Sequence, residues 1–194
     1  MKKIQAVCVY CGSSDRLDPI HKEAADNLGT QLAKEGIRLV FGGGRVGLMG
    51  ILADAIIRNG GRALGFIPYY LEEHEGSHNG VQEMHIVDSM HTRKSKMAEN
   101  SDAFLVLPGG FGTLDELFEI ITWRQLELHK KPIIIINIDN YWDPLIALMK
   151  NIVENNFARL SDIHLITIVS SVDEAMHALL DLPPVEPKFK KHKA

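Results

Sequence analysis

The chain has 194 residues, of which 45% are hydrophobic and 24% charged. That length suits one domain or a domain with a tail, and the apolar fraction can fill a core, which excludes a wholly disordered chain. The net charge of −4 offers no bulk positive field for nucleic acid, and no apolar run approaches the roughly 20 residues that span a bilayer.

Residues 4–10 open the chain as a β-strand. The lysines before it give a superficial likeness to a signal peptide, but Gln5 interrupts the run, which is short even for the apolar part of one. The strand carries Cys8 and leads to Cys11, a C-x-x-C spacing. On a strand, an odd separation places two side chains on opposite faces, so a redox pair is not expected. No second cysteine pair exists to complete a zinc site. Two unpaired thiols suit a reducing compartment, and the expected location is the cytoplasm.

Residues 21–35 follow as a helix, with Ala24, Ala25, Leu28 and Leu32 at helical spacing and Gly36 at the stop. A strand at 38–41 runs into the glycine loop Gly42-Gly43-Gly44-Arg45-Val46-Gly47, and a helix covers 48–58. A strand at 62–67 precedes a polar segment, 69–82, of the length of a lid or specificity loop. His74 and His78 lie four apart in it, but Gly76 and Gly80 oppose a helix across them, and no metal site is expected. Strand 84–87 leads to Met90-His91-Thr92-Arg93-Lys94 and a helix at 92–100. Strand 103–107 enters Pro108-Gly109-Gly110-Phe111-Gly112-Thr113 and a helix at 113–128. Strand 132–136, helix 143–155, strand 165–169 and helix 172–180 complete the series.

The strands are continuous apolar runs rather than alternating ones, which predicts a mostly parallel sheet of about seven strands buried on both faces. Strand–helix alternation predicts an α/β fold: one doubly wound, Rossmann-like domain over residues 1–182. Residues 183–194 carry four lysines and one glutamate, a net of +3 that leaves −7 for the rest. They read as a basic, flexible tail.

In such folds ligands bind beyond the carboxyl ends of the strands, so the strand-to-helix loops matter most. Gly42, Gly44 and Gly47 form a G-x-G-x-x-G pattern. A dinucleotide site would also need a carboxylate at the end of the next strand, where Pro68-Tyr69-Tyr70 stands instead. The loop lacks the Lys-Ser/Thr ending of a P-loop. The stronger signal is Pro108–Thr113. Its glycines leave backbone N–H groups uncovered, and Thr113 and a helix start add a hydroxyl and a positive dipole end. That is a cradle for an anion, with a phosphate as the natural occupant. Glu116 admits two readings. Thr113-x-x-Glu116 matches a capping box, which would turn the carboxylate back on its own helix. Alternatively, Glu116 faces a ligand, where it suits positive charge developing on a sugar. Arg93 can clamp a phosphate or a base edge.

Taken together, the P-G-G-x-G-T-x-x-E run at 108–116, Arg93-Lys94, C-G-S-S at 11–14, G-G-G-x-x-G-L-M-G at 42–50 and Ile121-Thr122-Trp123 resemble the Lonely Guy family over residues 4–180. These are cytokinin riboside 5′-monophosphate phosphoribohydrolases, long labelled lysine decarboxylases. The resemblance implies a cytoplasmic, homodimeric hydrolase of AMP nucleosidase type. It would cleave the N-glycosidic bond of a purine nucleoside 5′-monophosphate, AMP or an N6-modified AMP, to free base and ribose 5-phosphate, without metal or other cofactor. It implies Glu116 and Arg93 as catalytic residues. Substrate binding would fall to Lys94, Gly109, Gly110, Phe111, Gly112 and Thr113, with Gly43, Gly44 and Ser13 from the neighbouring loops. A further family carboxylate would fall among Glu72, Glu73 and Glu75. Lysine decarboxylation needs pyridoxal phosphate on a Schiff-base lysine, and no such lysine is identifiable. The alternative is a non-catalytic molybdenum-cofactor or nucleotide carrier, which shares the glycine loop but needs no catalytic pair.

Overall fold

Four consecutive isoleucines explain the sheet. In β6, Ile133–Ile136, every side chain is buried, although alternate residues point to opposite faces. Such a strand needs helices on both sides. The structure, a computed structural model, describes residues 4–181. It contains the strands β1 (Ala6–Tyr10), β2 (Arg38–Phe41), β3 (Ala63–Pro68), β4 (Glu83–Val87), β5 (Ala103–Val106), β6 and β7 (Thr167–Val169). They form one sheet in the order β4-β3-β2-β1-β5-β6-β7, with every pairing parallel.

The helices divide between the two faces. Helices α1 (Pro19–Lys34), α2 (Gly47–Arg58) and α7 (Val172–Leu180) bury Leu28, Leu52, Met176 and Leu179 against Val7, Val9, Leu39 and Leu105. Helices α4 (Met90–Glu99), α5 (Phe111–Gln125) and α6 (Asp143–Glu154) bury Met97, Leu117, Ile120 and Leu145 against Cys8, Tyr10, Phe104 and Val106. Gly29 lets α1 and α2 approach closely, since a Cβ there would stand 2.7 Å from the Ala55 Cβ. Cys8 and Cys11 fall in opposite cores, both buried and free, as their odd spacing requires.

Most elements lie where the sequence predicts them, and the differences have local causes. The first strand starts at Ala6 because the Gln5 and Ala6 N–H groups donate to the Asp102 carboxylate, at 2.9 and 3.1 Å. Helix α4 starts two residues before the predicted 92, because Ser89 caps it by accepting from the Thr92 N–H at 3.1 Å. The segment 69–82 is not wholly a loop. Helix α3 (Tyr69–Glu75) occupies its first half and stops at Gly76, whose φ is 73°. Residues 160–165 form a 3-10 turn, which shortens the last strand to three residues. Among the described residues, no helix is long and apolar enough to cross a membrane. The predicted tail, 183–194, lies outside the described residues.

Candidate active site

The chain adds β2, β3 and β4 outward from β1, then crosses back to β5 and continues to β6 and β7. The switch point therefore lies between β1 and β5, where the loops leaving the two strands diverge and a crevice opens. The Gly12 N–H donates to the Pro108 carbonyl at 3.0 Å and the Leu48 N–H to the Gly12 carbonyl at 3.0 Å, tying three strand-end loops together. The Asp15 carboxylate accepts from the Gly47 N–H at 2.8 Å. Gly47 has a φ of 63°, and a Cβ there would press on the Ser13 backbone.

These loops surround a cleft of about 260 Å³. Arg93, Glu116, Ser13, Gly44, Gly110, Phe111, Gly112 and Thr113 line it, as do Gly42 and Cys11, together with an apolar group of Met49, Ile67, Leu71 and Met90. Phe111 stands at the lip, 92% exposed. Three residues singled out in the sequence do not line it. Gly109 lies beneath Thr113, and a Cβ on it would overlap the Thr113 hydroxyl. The Gly43 carbonyl accepts from the His78 N–H at 3.0 Å, behind the cleft wall. The Lys94 ammonium turns away to Asp115 at 2.9 Å and Glu119 at 3.2 Å. Burial pulls the Lys94 pKa down, but its hydrogen bonds to Asp115 and Glu119 outweigh that and hold it above the ordinary lysine value. Lys94 thereby fastens α4 to α5, the two helices that carry Arg93 and Glu116.

Glu116 is not a capping residue. Helix α5 begins at Phe111 with Gly110 as its N-cap and no side-chain cap, so Thr113 already lies inside the first turn. Glu116 is 7% exposed and Arg93 8%, with Arg93 Nη2 at 3.6 Å from Glu116 Oε1. That distance gives Coulomb attraction without a good hydrogen bond. Burial raises the Glu116 pKa to about 7. Arg93 and Lys94 oppose the rise, and Asp115 and Glu119 add to it. The guanidinium is also under-used. Its Nε is buried without an acceptor among the described residues, and Nη1 reaches only the Met90 sulfur, at 3.5 Å. Buried donors are normally paired, so the guanidinium that lines the cleft has hydrogen-bonding capacity that its protein neighbours leave unused. Gly42 makes this placement possible, because any Cβ there would overlap the guanidinium.

The open amides at the start of α5 also have a structural cause. The carbonyls of Pro108, Gly109 and Gly110 are each occupied, by the Gly12 N–H, the Tyr141 hydroxyl and the Leu114 N–H. The first-turn amides of α5 have no intrahelical acceptors, and they open beside the cleft with the positive end of the helix dipole. Neither thiol is a nucleophile, since burial raises both Cys8 and Cys11 far above the ordinary range. His78 meets Asp54 at 3.2 Å rather than His74, and no group of three His, Cys, Asp or Glu among the described residues could hold a metal. Neither Glu72 nor Glu73 lines the cleft.

A family profile described as "Possible lysine decarboxylase" matches residues 49–179. A probable cytokinin riboside 5′-monophosphate phosphoribohydrolase of Oryza sativa subsp. japonica is 42% identical over 186 residues, 96% of this chain and 76% of its own. A cytokinin riboside 5′-monophosphate phosphoribohydrolase of Arabidopsis thaliana is 40% identical over 192 residues, 99% of this chain and 90% of its own. The chain belongs to the Lonely Guy family.

Solved structures add the fold alone. The molybdenum cofactor binding protein of Rippkaea orientalis superposes with a TM-score of 0.70 at 22% identity, covering 92% of this chain and 96% of its own. The molybdenum cofactor carrier protein of Chlamydomonas reinhardtii gives 0.69 at 18%, with the same coverage. The sequence singles out Glu116, Arg93 and the loop at 110–113, which the fold brings together at one cleft. It does not reveal the apolar wall, because Met49, Ile67, Leu71 and Met90 come from four elements and look like ordinary core residues. Nor does it reveal the role of Gly42, although Gly42 stands within a motif already singled out.

Proposed function

We propose that this chain hydrolyses the N-glycosidic bond of purine nucleoside 5′-monophosphates, AMP or an N6-modified cytokinin riboside monophosphate, releasing free base and ribose 5-phosphate. Support comes from relatives about 40% identical that are named for this activity. The observation that carries the reading is the buried Glu116–Arg93 pair in the switch-point cleft, beside a helix N-terminus with open amides. The 5′-phosphate binds at Gly110, Phe111, Gly112 and Thr113. The base and any N6 substituent lie toward Met49, Ile67, Leu71 and Met90, an apolar wall suited to a planar ring or a hydrocarbon group.

The C1′–N9 bond breaks with its electron pair passing to the base, and the sugar becomes oxocarbenium-like. Water adds to C1′, and the proton it loses ends on the departing base. Ionised Glu116 stabilises the developing sugar cation and orients that water, as carboxylates do in sugar hydrolysis. Arg93 supplies positive charge to the leaving base or the phosphate. Because Arg93 and Glu116 are themselves buried, their charges act at reduced dielectric, and phosphate binding orients the sugar. No lysine lines the cleft among the described residues, which disfavours a Schiff-base decarboxylase. A non-catalytic carrier has only fold likeness in its favour and leaves a buried carboxylate beside an arginine unexplained.

The active form is a homodimer in the cytoplasm. An apolar groove between α5 and α6, lined by Phe118, Ile121, Met149 and Ile152, is flanked by Phe157, which is 85% exposed. A second copy is the occupant proposed for it, and buried free thiols fit a reducing compartment. A panel of nucleoside monophosphates assayed for free base, with wild type and Glu116→Gln side by side, tests the activity. AMP-dependent release of adenine by the wild type, reduced by orders of magnitude in Glu116→Gln, is the expected result.

A further inference from the structure

The inference rests on the reading of the 108–113 loop as the phosphate cradle, and concerns what holds that loop in register. The loop contains two adjacent glycines, and a Gly-Gly peptide can rotate at little steric cost. Rotation would reverse the Gly109–Gly110 peptide plane. In a planar trans peptide the carbonyl of one residue and the N–H of the next point in opposite directions. If the Gly109 carbonyl turned into the cleft, it would bring a partial negative charge where the phosphate belongs and take the Gly110 N–H away. The orientation of this one plane therefore decides whether the cradle attracts or repels an anion.

Two of the three carbonyls in Pro108-Gly109-Gly110 are fixed by backbone donors, those of Pro108 by Gly12 and of Gly110 by Leu114. The Gly109 carbonyl is held by a side chain. The Tyr141 hydroxyl donates to it at 2.7 Å. We infer that Tyr141 is a positioning residue: by pinning the Gly109 carbonyl outside the cleft, it keeps the Gly110 N–H turned toward the substrate phosphate. Tyr141 does not line the cleft, so it acts only through the loop.

The surroundings of Tyr141 are built to hold it there. It follows β6 in a 3-10 turn, Ile138–Asn140, in which Asp139 and Asn140 take left-handed φ values of 51° and 58°. Asp and Asn tolerate that conformation better than other non-glycine residues. The Asn137 side chain accepts from the Trp142 N–H at 2.7 Å and donates to Asp143 at 2.8 Å, closing the turn. Edge-on contacts with His21, at 5.7 Å between ring centroids, and with Trp142, at 4.8 Å, restrict the Tyr141 ring, which is otherwise 43% exposed. A restricted phenol ring lets a single hydroxyl act with less further ordering.

The test compares wild type with Tyr141→Phe, which keeps the ring contacts and removes only the hydroxyl. Binding of ribose 5-phosphate, inorganic phosphate and free adenine is measured by calorimetry, alongside AMP kinetics and thermal melting. The expected result is a Kd for ribose 5-phosphate and a KM for AMP raised about three- to tenfold, the scale of one hydrogen bond. Adenine affinity and melting temperature stay near wild type. Tyr141→Leu also lowers the melting temperature, yet weakens ribose 5-phosphate no further if the hydroxyl is the operative group. Unchanged ribose 5-phosphate affinity in Tyr141→Phe overturns the inference, as does an equal loss for adenine, which marks a general disturbance of the cleft. The hydrolase reading fails separately: wild type that binds ribose 5-phosphate in a Tyr141-dependent way but releases no base from AMP refutes hydrolysis and supports the pin. Wild type that binds neither ribose 5-phosphate nor phosphate refutes the pin, and adenine release from AMP then decides the hydrolase reading by itself.

Discussion

Replacing Glu116 with Gln removes a charge that the fold holds at a cost. Burial raises the carboxyl pKa from 4.5 to about 7 even with Arg93 beside it. Between those two values the native state keeps a proton that the unfolded chain releases. By linkage, folding stability therefore falls as pH rises through that window and levels off above about 7. At 1.36 kcal/mol per unit, the loss amounts to about 3 kcal/mol at pH 8. Glutamine imitates the neutral acid, and Arg93 is no worse placed beside it than beside protonated Glu116. Glu116→Gln is thus expected to exceed wild-type stability by about 3 kcal/mol at pH 8 and by little at pH 4.5. For a chain of this size that is a rise in melting temperature of about 6–12 °C. Urea unfolding of both proteins at several pH values gives the difference directly. The same substitution should lower kcat by about two to four orders of magnitude. It should also abolish an acidic limb in kcat/KM with an apparent pKa near 7, since the ionised carboxylate is the working form. A variant that is less stable than wild type at pH 8, or a stability difference independent of pH, would refute the reasoning.

Gly42→Ala should lower kcat/KM by more than tenfold with little change in melting temperature, because the added methyl overlaps only the end of the Arg93 side chain. Gly47→Ala should instead cost about 2 kcal/mol or more in chemical denaturation, because its methyl meets the Ser13 backbone at a φ of 63°. Burial holds His129 at a pKa of about 4, despite the Ile120 carbonyl that favours its protonated form. A base with a depressed pKa is stabilising above its unfolded value of 6.5, and that contribution is lost as pH falls toward 4. Its slope opposes that of Glu116, so Glu116→Gln should show the steeper acid loss. Its ring nitrogens should read by NMR as neutral at pH 5.5, with Nδ1 accepting from the Lys131 N–H. Phe157→Asp should convert the proposed dimer to monomer in size-exclusion light scattering, and a dimer of unchanged mass would move the interface elsewhere.

The fold was largely legible because its signals are local. Continuous apolar runs such as Ile133–Ile136 announce a strand buried on both faces, and glycine-rich strand ends announce the loops of the switch point. Helix starts were harder to place. The cap of α4 is Ser89 and that of α5 is Gly110, each lying before the first residue that looked helical. This bears on the site, since a helix start at Thr113 is what offers Glu116 a capping role beside the ligand-facing one. The pair of Arg93 and Glu116 stood out as motif residues, but their burial and mutual distance depend on the packing of α4 against α5. Lys94 shows the same limit: beside Arg93 in sequence, it points to two carboxylates instead of the cleft. Tyr141 gave no signal at all, because its partner is a backbone carbonyl 32 residues away.

The central claim is that a buried carboxylate and an arginine at the switch point cleave the glycosidic bond of a nucleoside monophosphate. Incubating the purified wild-type chain with AMP and separating the products by chromatography tests it most directly. Wild type should yield adenine and ribose 5-phosphate in equal amounts, and Glu116→Gln at least a hundredfold less adenine. Intact AMP after prolonged incubation with folded wild type, or adenine release undiminished by Glu116→Gln, would contradict it.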